Sequence, residues 1–156
     1  MQLETRWVVA GVLAAVLVVP GLAHGDEAEA AEAVDMIVIE VSNLQDDTGQ
    51  VGCALFSKED GFPIKIKKAD KRLTVQSKSK KATCAFEGVK PGTYAISVMH
   101  DTDMSGDLNT NMVGRPKEWW GVTNNAPAHR FSAPTFDECK FQYSGGKKTM
   151  KIKMQK

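Results

Sequence analysis

Phe86-Glu87-Gly88-Val89-Lys90-Pro91-Gly92-Thr93-Tyr94-Ala95-Ile96-Ser97-Val98 is the stretch on which the fold turns. A strand closes at Phe86, Pro91-Gly92 reverses the chain, and Tyr94 begins the next strand. A tyrosine just inside a strand after such a crossover can donate its hydroxyl to nearby backbone, as in the tyrosine corner of Greek-key sandwiches. It serves equally as a half-buried core side chain. Working upstream, Ala82-Thr83-Cys84-Ala85-Phe86 and Leu73-Thr74-Val75-Gln76 alternate apolar and polar residues at period two. Val51, Cys53 and Leu55 share one face of a further strand, with Gly52, Ala54 and Phe56 on the other. The β-branched run Met36-Ile37-Val38-Ile39-Glu40-Val41 opens the domain, and Asp46-Asp47-Thr48-Gly49 and Gly61-Phe62-Pro63 punctuate it. Downstream, the pattern dissolves from His100 to Pro134. It returns as Cys139-Lys140-Phe141-Gln142-Tyr143, a turn at Ser144-Gly145-Gly146, and Thr149–Met154, which read together as a terminal hairpin. Seven or eight short strands, no helix and no internal repeat describe an all-β, two-sheet sandwich at residues 36–156. A connection of about thirty residues inside such a domain is long enough to suggest a working loop.

The amino terminus has a different character. Arg6 precedes an unbroken apolar run from Trp7 to Val19, and Ala23-His24-Gly25 places small residues where a signal peptidase inspects them. Thirteen apolar residues fall short of the roughly 20 that a membrane-spanning helix needs. Residues 1–25 therefore read as a secretory signal peptide, and the expected destination is the periplasm or the extracellular space. The alternative is an uncleaved anchor, which would be the chain's only membrane attachment. No lipidated cysteine follows the segment. Residues 26–35 form an Ala/Glu-rich spacer with five acidic residues and no basic one.

Cys53, Cys84 and Cys139 would meet an oxidising compartment, where one disulfide and one leftover thiol are expected. No spacing is C-x-x-C. Three pairings are open, and Cys53 with Cys84 is the one that strand faces favour if their strands are neighbours in one sheet. Eight basic residues between Lys65 and Lys81 face only Asp70. No aromatic residues interleave them as a nucleic-acid stacking platform would need, so a solvated, lysine-guarded face is preferred to a nucleic-acid surface.

The phrases Val51-Gly52-Cys53-Ala54-Leu55-Phe56, Phe86 through Tyr94-Ala95, His100-Asp101, Gly114-Arg115-Pro116-Lys117-Glu118 and Asn124-Asn125 occur here in one order. In that combination the chain resembles a bacterial family catalogued as domain of unknown function number twenty-one forty-one, over roughly Ile37 to Ile152. The strand count fits an immunoglobulin-like or transthyretin-like sandwich, and the resemblance implies an exported domain of the transthyretin-like (prealbumin-like) branch. It implies no activity. Two positions depart from the family pattern. One is the double tryptophan in Glu118-Trp119-Trp120-Gly121, and the other is Cys139, where a small residue is usual.

The loop after His100 carries the clearest chemistry. In Asp101-Thr102-Asp103-Met104-Ser105-Gly106-Asp107-Leu108-Asn109-Thr110-Asn111, oxygen-bearing side chains occupy positions one, three, five and nine of an EF-hand-like register. Glycine is at six and an aliphatic residue at eight. Ca²⁺ takes six to eight hard oxygen ligands, alternate residues of a tight loop can supply them, and position seven gives its carbonyl. Asp101, Asp103, Ser105, Asp107, Asn109 and Asn111 are thus candidate Ca²⁺ ligands. Position twelve is Met112 rather than a bidentate glutamate, so Asn111, a remote carboxylate such as Glu118, or water would have to complete the shell. The competing reading is an Asx-rich loop that bonds its own backbone.

Two further sets are weaker. His100, Asp101 and His129 would make a transition-metal or hydrolase site if folding joined them, and a Cys139–histidine nucleophile lacks its local turn signature. Trp119, Trp120, Asn124 and Asn125 would suit a sugar ring, although consecutive strand residues face opposite ways. The expectation is a non-enzymatic exported domain with a protein or glycan partner and a calcium-stabilised loop. A carbohydrate-binding module and a metal-dependent hydrolase are the alternatives.

Overall fold

Strand β1, Met36–Ser42, alternates because every second side chain, Ile37, Ile39 and Val41, is apolar and buried. The computed structural model describes residues 34–106, 111–112 and 116–156, and the segment read as a signal peptide lies outside them. The other strands are β2 (Gln50–Phe56), β3 (Lys71–Val75), β4 (Lys81–Glu87), β5 (Gly92–Asp101), β6 (Trp120–Val122), β7 (Phe141–Tyr143) and β8 (Lys147–Lys153). One helix of four residues, α1 (Phe136–Cys139), precedes β7. Two single 3-10 turns lie at Ile66–Lys68 and Thr123–Asn125.

The strands form two sheets, as the alternation implies. The first runs β4-β1-β8, and the second β3-β2-β5-β6 with β7 also paired to β5. Register follows the buried set: Ile37 lies opposite Phe86, Ile39 opposite Cys84 and Val41 opposite Ala82. These residues, with Ile152, pack onto Val51, Cys53, Leu55, Ile96 and Val98 of the second sheet to form the main core. The chain is an all-β, two-sheet sandwich.

The last two strands differ from the expected hairpin. β7 is antiparallel to β5, whereas β8 is parallel to β1. Gly145 (φ 100°) and Gly146 (φ 70°) turn the chain from one sheet to the other. The Gly146 N–H donates to Asp35 Oδ1 and the Tyr143 hydroxyl to the Gly146 carbonyl, both within 2.6 Å. A turn glycine pair is equally compatible with either outcome, so local sequence did not distinguish a hairpin from a sheet change.

The second sheet is covered on its outer side too. Ala95, Trp120, Val122, Ala126 and Cys139 form a separate apolar cluster, with Phe62 and Phe136 packed against it. This second layer explains why β5 is buried continuously from Ala95 to Asp101 rather than on alternate residues. At one edge the two sheets meet through reciprocal backbone bonds between Trp120 and Gln155, of 2.9 and 2.8 Å.

Tyr94 adopts the corner arrangement: its hydroxyl donates to the Lys90 carbonyl at 2.9 Å, bracing the Pro91-Gly92 turn. Tyr94→Phe is expected to cost about 1 kcal/mol, the net worth of one hydrogen bond, seen as a lower urea midpoint with an unchanged slope.

Candidate functional site

β5 ends by delivering His100 and Asp101, both fully buried, to one end of the second sheet. Strand pairing then assembles the site. Gln50 lies opposite Asp101 in the β2–β5 register, and its side-chain amide donates to Asp101 Oδ2 at 2.8 Å. On the other flank Met99 pairs with Trp120, and the His100 N–H donates to the Trp119 carbonyl at 2.8 Å. Continuing that antiparallel run by one residue sets Glu118 beside the start of the loop, where its Oε1 accepts from the Thr102 N–H at 3.3 Å.

Asp101, Asp103 and Glu118 thereby come together, with one carboxylate oxygen from each within 4.8 Å of the others. Asp101 is 0% and Glu118 8% exposed. Carboxylates crowded at low dielectric repel one another, and hydrogen-bond donors or a cation must offset this. The loop supplies some donors. Asp101 Oδ1 accepts from the Ser105 N–H at 2.9 Å, and Asp101 Oδ2 accepts from the Gly106 N–H at 2.8 Å in addition to Gln50. Asp103 Oδ1 also accepts from the Ser105 N–H, at 3.1 Å. Each carboxylate oxygen has about two lone-pair sites. Oδ2 of Asp101 is therefore filled by its two donors, while the second contact of Oδ1, to the Ser105 hydroxyl, is long at 3.5 Å. The cluster offers hard oxygen and neither nitrogen nor sulfur, so it is an acidic site that can hold a metal ion of the oxygen-seeking kind.

Of the loop residues identified from sequence, Asp101, Asp103 and Ser105 are gathered here and Gly106 makes the bend with φ 75°. Asn111 is exposed. Asp107 and Asn109 lie outside the described residues. Two contributors left no local signal. Gln50 is identified only by its register partner, and Gly49 by space: a Cβ there would stand 2.3 Å from the Asp101 carbonyl oxygen.

The histidines are used separately. His100 Nε2 bonds the Thr48 carbonyl at 2.8 Å, which requires the proton on Nε2, and its buried Nδ1 has no hydrogen-bond partner among the described residues. His129 instead pairs with Glu138 at 3.0 Å. The acidic cluster includes neither histidine. Cys139 is fully buried, and burial, reinforced by the neighbouring Glu138 charge, pushes its thiol up to about 12, the opposite of an activated nucleophile. Glu138 closes a capping box on α1 with Thr135. Its carboxyl is held at about 2, first by the Thr135 N–H, then by His129 and the Thr135 hydroxyl. A depressed carboxylate stabilises the folded state fully above its ordinary value of 4.5, and that contribution is lost as pH falls toward about 2. Side-chain carbon NMR is expected to show the Glu138 midpoint near 2 and an upward move in His129→Ala.

The tryptophans split between layers. Trp119 packs partly buried on the main core, and Trp120, 6% exposed, belongs to the outer cluster. Asn124 and Asn125 both have positive φ, 63° and 50°, which asparagine tolerates better than most residues. Their side chains hold backbone. The Asn124 amide donates to the Glu138 and Lys140 carbonyls, while Asn125 accepts from the Lys153 N–H at 2.7 Å. Thr123, unmarked by sequence, is fully buried and accepts from the Ile96 N–H while donating to the Cys139 carbonyl at 2.6 Å.

Cys53 and Cys84 are joined as a disulfide, with Cα atoms 6.5 Å apart. Their strands are not neighbours in one sheet. Cys53 is on β2 and Cys84 on β4, so the bond crosses the core from sheet to sheet.

Residues 39–151 match the family described as "Uncharacterized protein conserved in bacteria (DUF2141)". The chain belongs to this family. No curated protein and no solved structure matches it. Within the DUF2141 span fall all three carboxylates of the acidic cluster, the disulfide and the Tyr94 corner. Among the described residues no helix is long and apolar enough to cross a membrane.

Proposed function

We propose that this DUF2141 protein is an exported, non-enzymatic interaction domain whose acidic cluster binds Ca²⁺, and that the ion orders the long β5–β6 connection for a protein or glycan partner. The observation that carries this reading is the convergence of two buried carboxylates, Asp101 and Glu118, with Asp103 around one point. In this reading Asp101 Oδ1, Asp103, Ser105 and Glu118 contribute ligands. Glu118, arriving through strand pairing, stands in for the glutamate that the local sequence lacks. Backbone carbonyls and water complete the shell. Ca²⁺ is favoured over Mg²⁺ because a set drawn from a loop and a distant strand suits flexible, higher coordination better than a strict octahedron. Extracellular calcium modules operate at about 10⁻⁴–10⁻³ M, where three carboxylates without a dedicated cage would be adequate. The cross-core disulfide and the leader-like amino terminus support export to an oxidising compartment.

Terbium, a luminescent Ca²⁺ surrogate, tests the site directly, since Trp119 adjoins Glu118 and can sensitise it. Titration of the full chain is expected to give saturable tryptophan-sensitised emission, displaced by Ca²⁺ and reduced about tenfold or more in apparent affinity by Glu118→Gln, as for loss of one charged ligand. Emission that is absent, or unaffected by Glu118→Gln, would mean that the loop's own N–H donors suffice and no ion is bound there.

A further inference from the structure

The two sides of the sandwich are finished differently. On one side Trp120 and Gln155 exchange backbone bonds, and the Asn125 side chain takes the Lys151 carbonyl and the Lys153 N–H along β8. On the other side β3 pairs with β2 alone, so the N–H and C=O groups along its outer edge have no backbone partner among the described residues. β4, which lies beside β3, likewise pairs only with β1, but there the Lys71 ammonium takes the Glu87 carbonyl at the strand end. An open edge is a template for one more strand.

The side chains of β3 define which strand that is. Leu73 and Val75 face the core opposite Cys53 and Val51, yet they are only half-buried, because nothing lies beyond them in the sheet. Arg72 and Thr74 face the other way and are exposed, and the Arg72 guanidinium has no hydrogen-bond or ion-pair partner among the described residues. Lys71 precedes it in the strand, and Lys78, Lys80 and Lys81 follow in the turn and at the start of β4. The one acidic residue between Lys65 and Lys81 is Asp70, whose carboxylate is engaged by the Ser57 N–H.

We propose that the β3 edge receives an extended acidic segment of another protein, in which acidic and apolar residues alternate. Every second residue of a paired strand shares a face, so such a segment sets its apolar side chains beside Leu73 and Val75 and its carboxylates beside Arg72. Backbone bonds make the pairing, and covering half-exposed apolar surface adds to it. The basic side chains select the occupant. Two copies of this chain meeting edge to edge would set like charges against each other, whereas an acidic strand is drawn in. β3 contains no residue of the acidic cluster, so the edge works with or without a bound ion.

The probe is a capped octapeptide alternating valine and glutamate and carrying fluorescein, titrated with the full chain in excess chelator. Fluorescence anisotropy is expected to rise saturably. Two further versions carry N-methyl groups on the valine nitrogens or on the glutamate nitrogens, with charge and side chains unchanged. One of the two is expected to bind at least about tenfold more weakly, because a single edge of the peptide faces β3. Lysine in place of glutamate in the peptide should abolish binding. Arg72→Glu should weaken the acidic peptide about tenfold and leave the melting temperature unchanged, since that side chain is exposed and unpaired. With peptide at saturation, amide hydrogen exchange should slow in residues 71–75 and not in residues 81–87. Undetectable binding, full affinity in both methylated versions, or protection at β4 in place of β3 overturns the proposal.

Discussion

Replacing Cys53 and Cys84 together by alanine is expected to lower the stability of the domain by about 3–4 kcal/mol. The cysteines are 31 residues apart in sequence, and in the chain-entropy account closing a loop of that length restricts the unfolded chain by about that amount. The native side adds to the loss, because Cys53 and Cys84 are 2% and 0% exposed within the main core and alanine leaves space there. For a domain of this size the melting temperature should fall by about 10–20 °C. Cys139 has no part in this. Buried, with its thiol raised to about 12, it should resist alkylation in the native protein and react only on unfolding. Mass spectrometry after iodoacetamide treatment of the native and denatured oxidised chain is therefore expected to count no adduct and one adduct respectively. A double variant that melts with the native protein would show that the sheets are held without the covalent link.

Gly49→Ala is the second large effect, expected at roughly 2–5 kcal/mol. Gly49 has φ 69°, a left-handed conformation costing a side chain about 1–2 kcal/mol. A Cβ would also stand 2.3 Å from the Asp101 carbonyl oxygen and 2.6 Å from Thr102 Cα. Both are backbone atoms, so relief requires moving either the β1–β2 turn or the start of the acidic loop, with an overpacking cost of about 1–3 kcal/mol. The variant should thus lose cation affinity as well as stability, because the displaced atoms carry Asp101. Urea unfolding gives the first quantity and terbium titration the second. A destabilised variant with unchanged terbium affinity would show that the turn yields instead of the loop.

The sandwich was legible because its strands obey period two. Ile37, Ile39 and Val41, and Ala82, Cys84 and Phe86, announce their buried face by alternation alone. β6 was not legible, since three residues, Trp120–Val122, buried on both sides, carry no alternation. The path of β8 was hidden for another reason. Its parallel pairing with β1 is a contact across more than a hundred residues, and a Gly-Gly turn is silent about which sheet comes next. The acidic site divides the same way. Asp101, Asp103 and Ser105 are visible as a spaced set within one loop, whereas Glu118 joins them only because the β5–β6 pairing runs on through His100 and Trp119. Gln50 and Gly49 depend on register and on space, which a linear pattern does not encode.

The most direct test is thermal unfolding of the full chain in millimolar Ca²⁺ and in excess chelator, for the native protein and for Glu118→Gln. An ion bound only by the folded state, at about ten times its Kd, stabilises by about 1.4 kcal/mol, or about 5 °C here. That rise is expected in the native protein and should be lost in Glu118→Gln. In chelator the variant should melt no lower than the native chain, because removing one of three crowded carboxylates relieves their repulsion. Identical melting of the native protein in calcium and in chelator would rule out a bound ion and leave the cluster as a loop closed by its own hydrogen bonds.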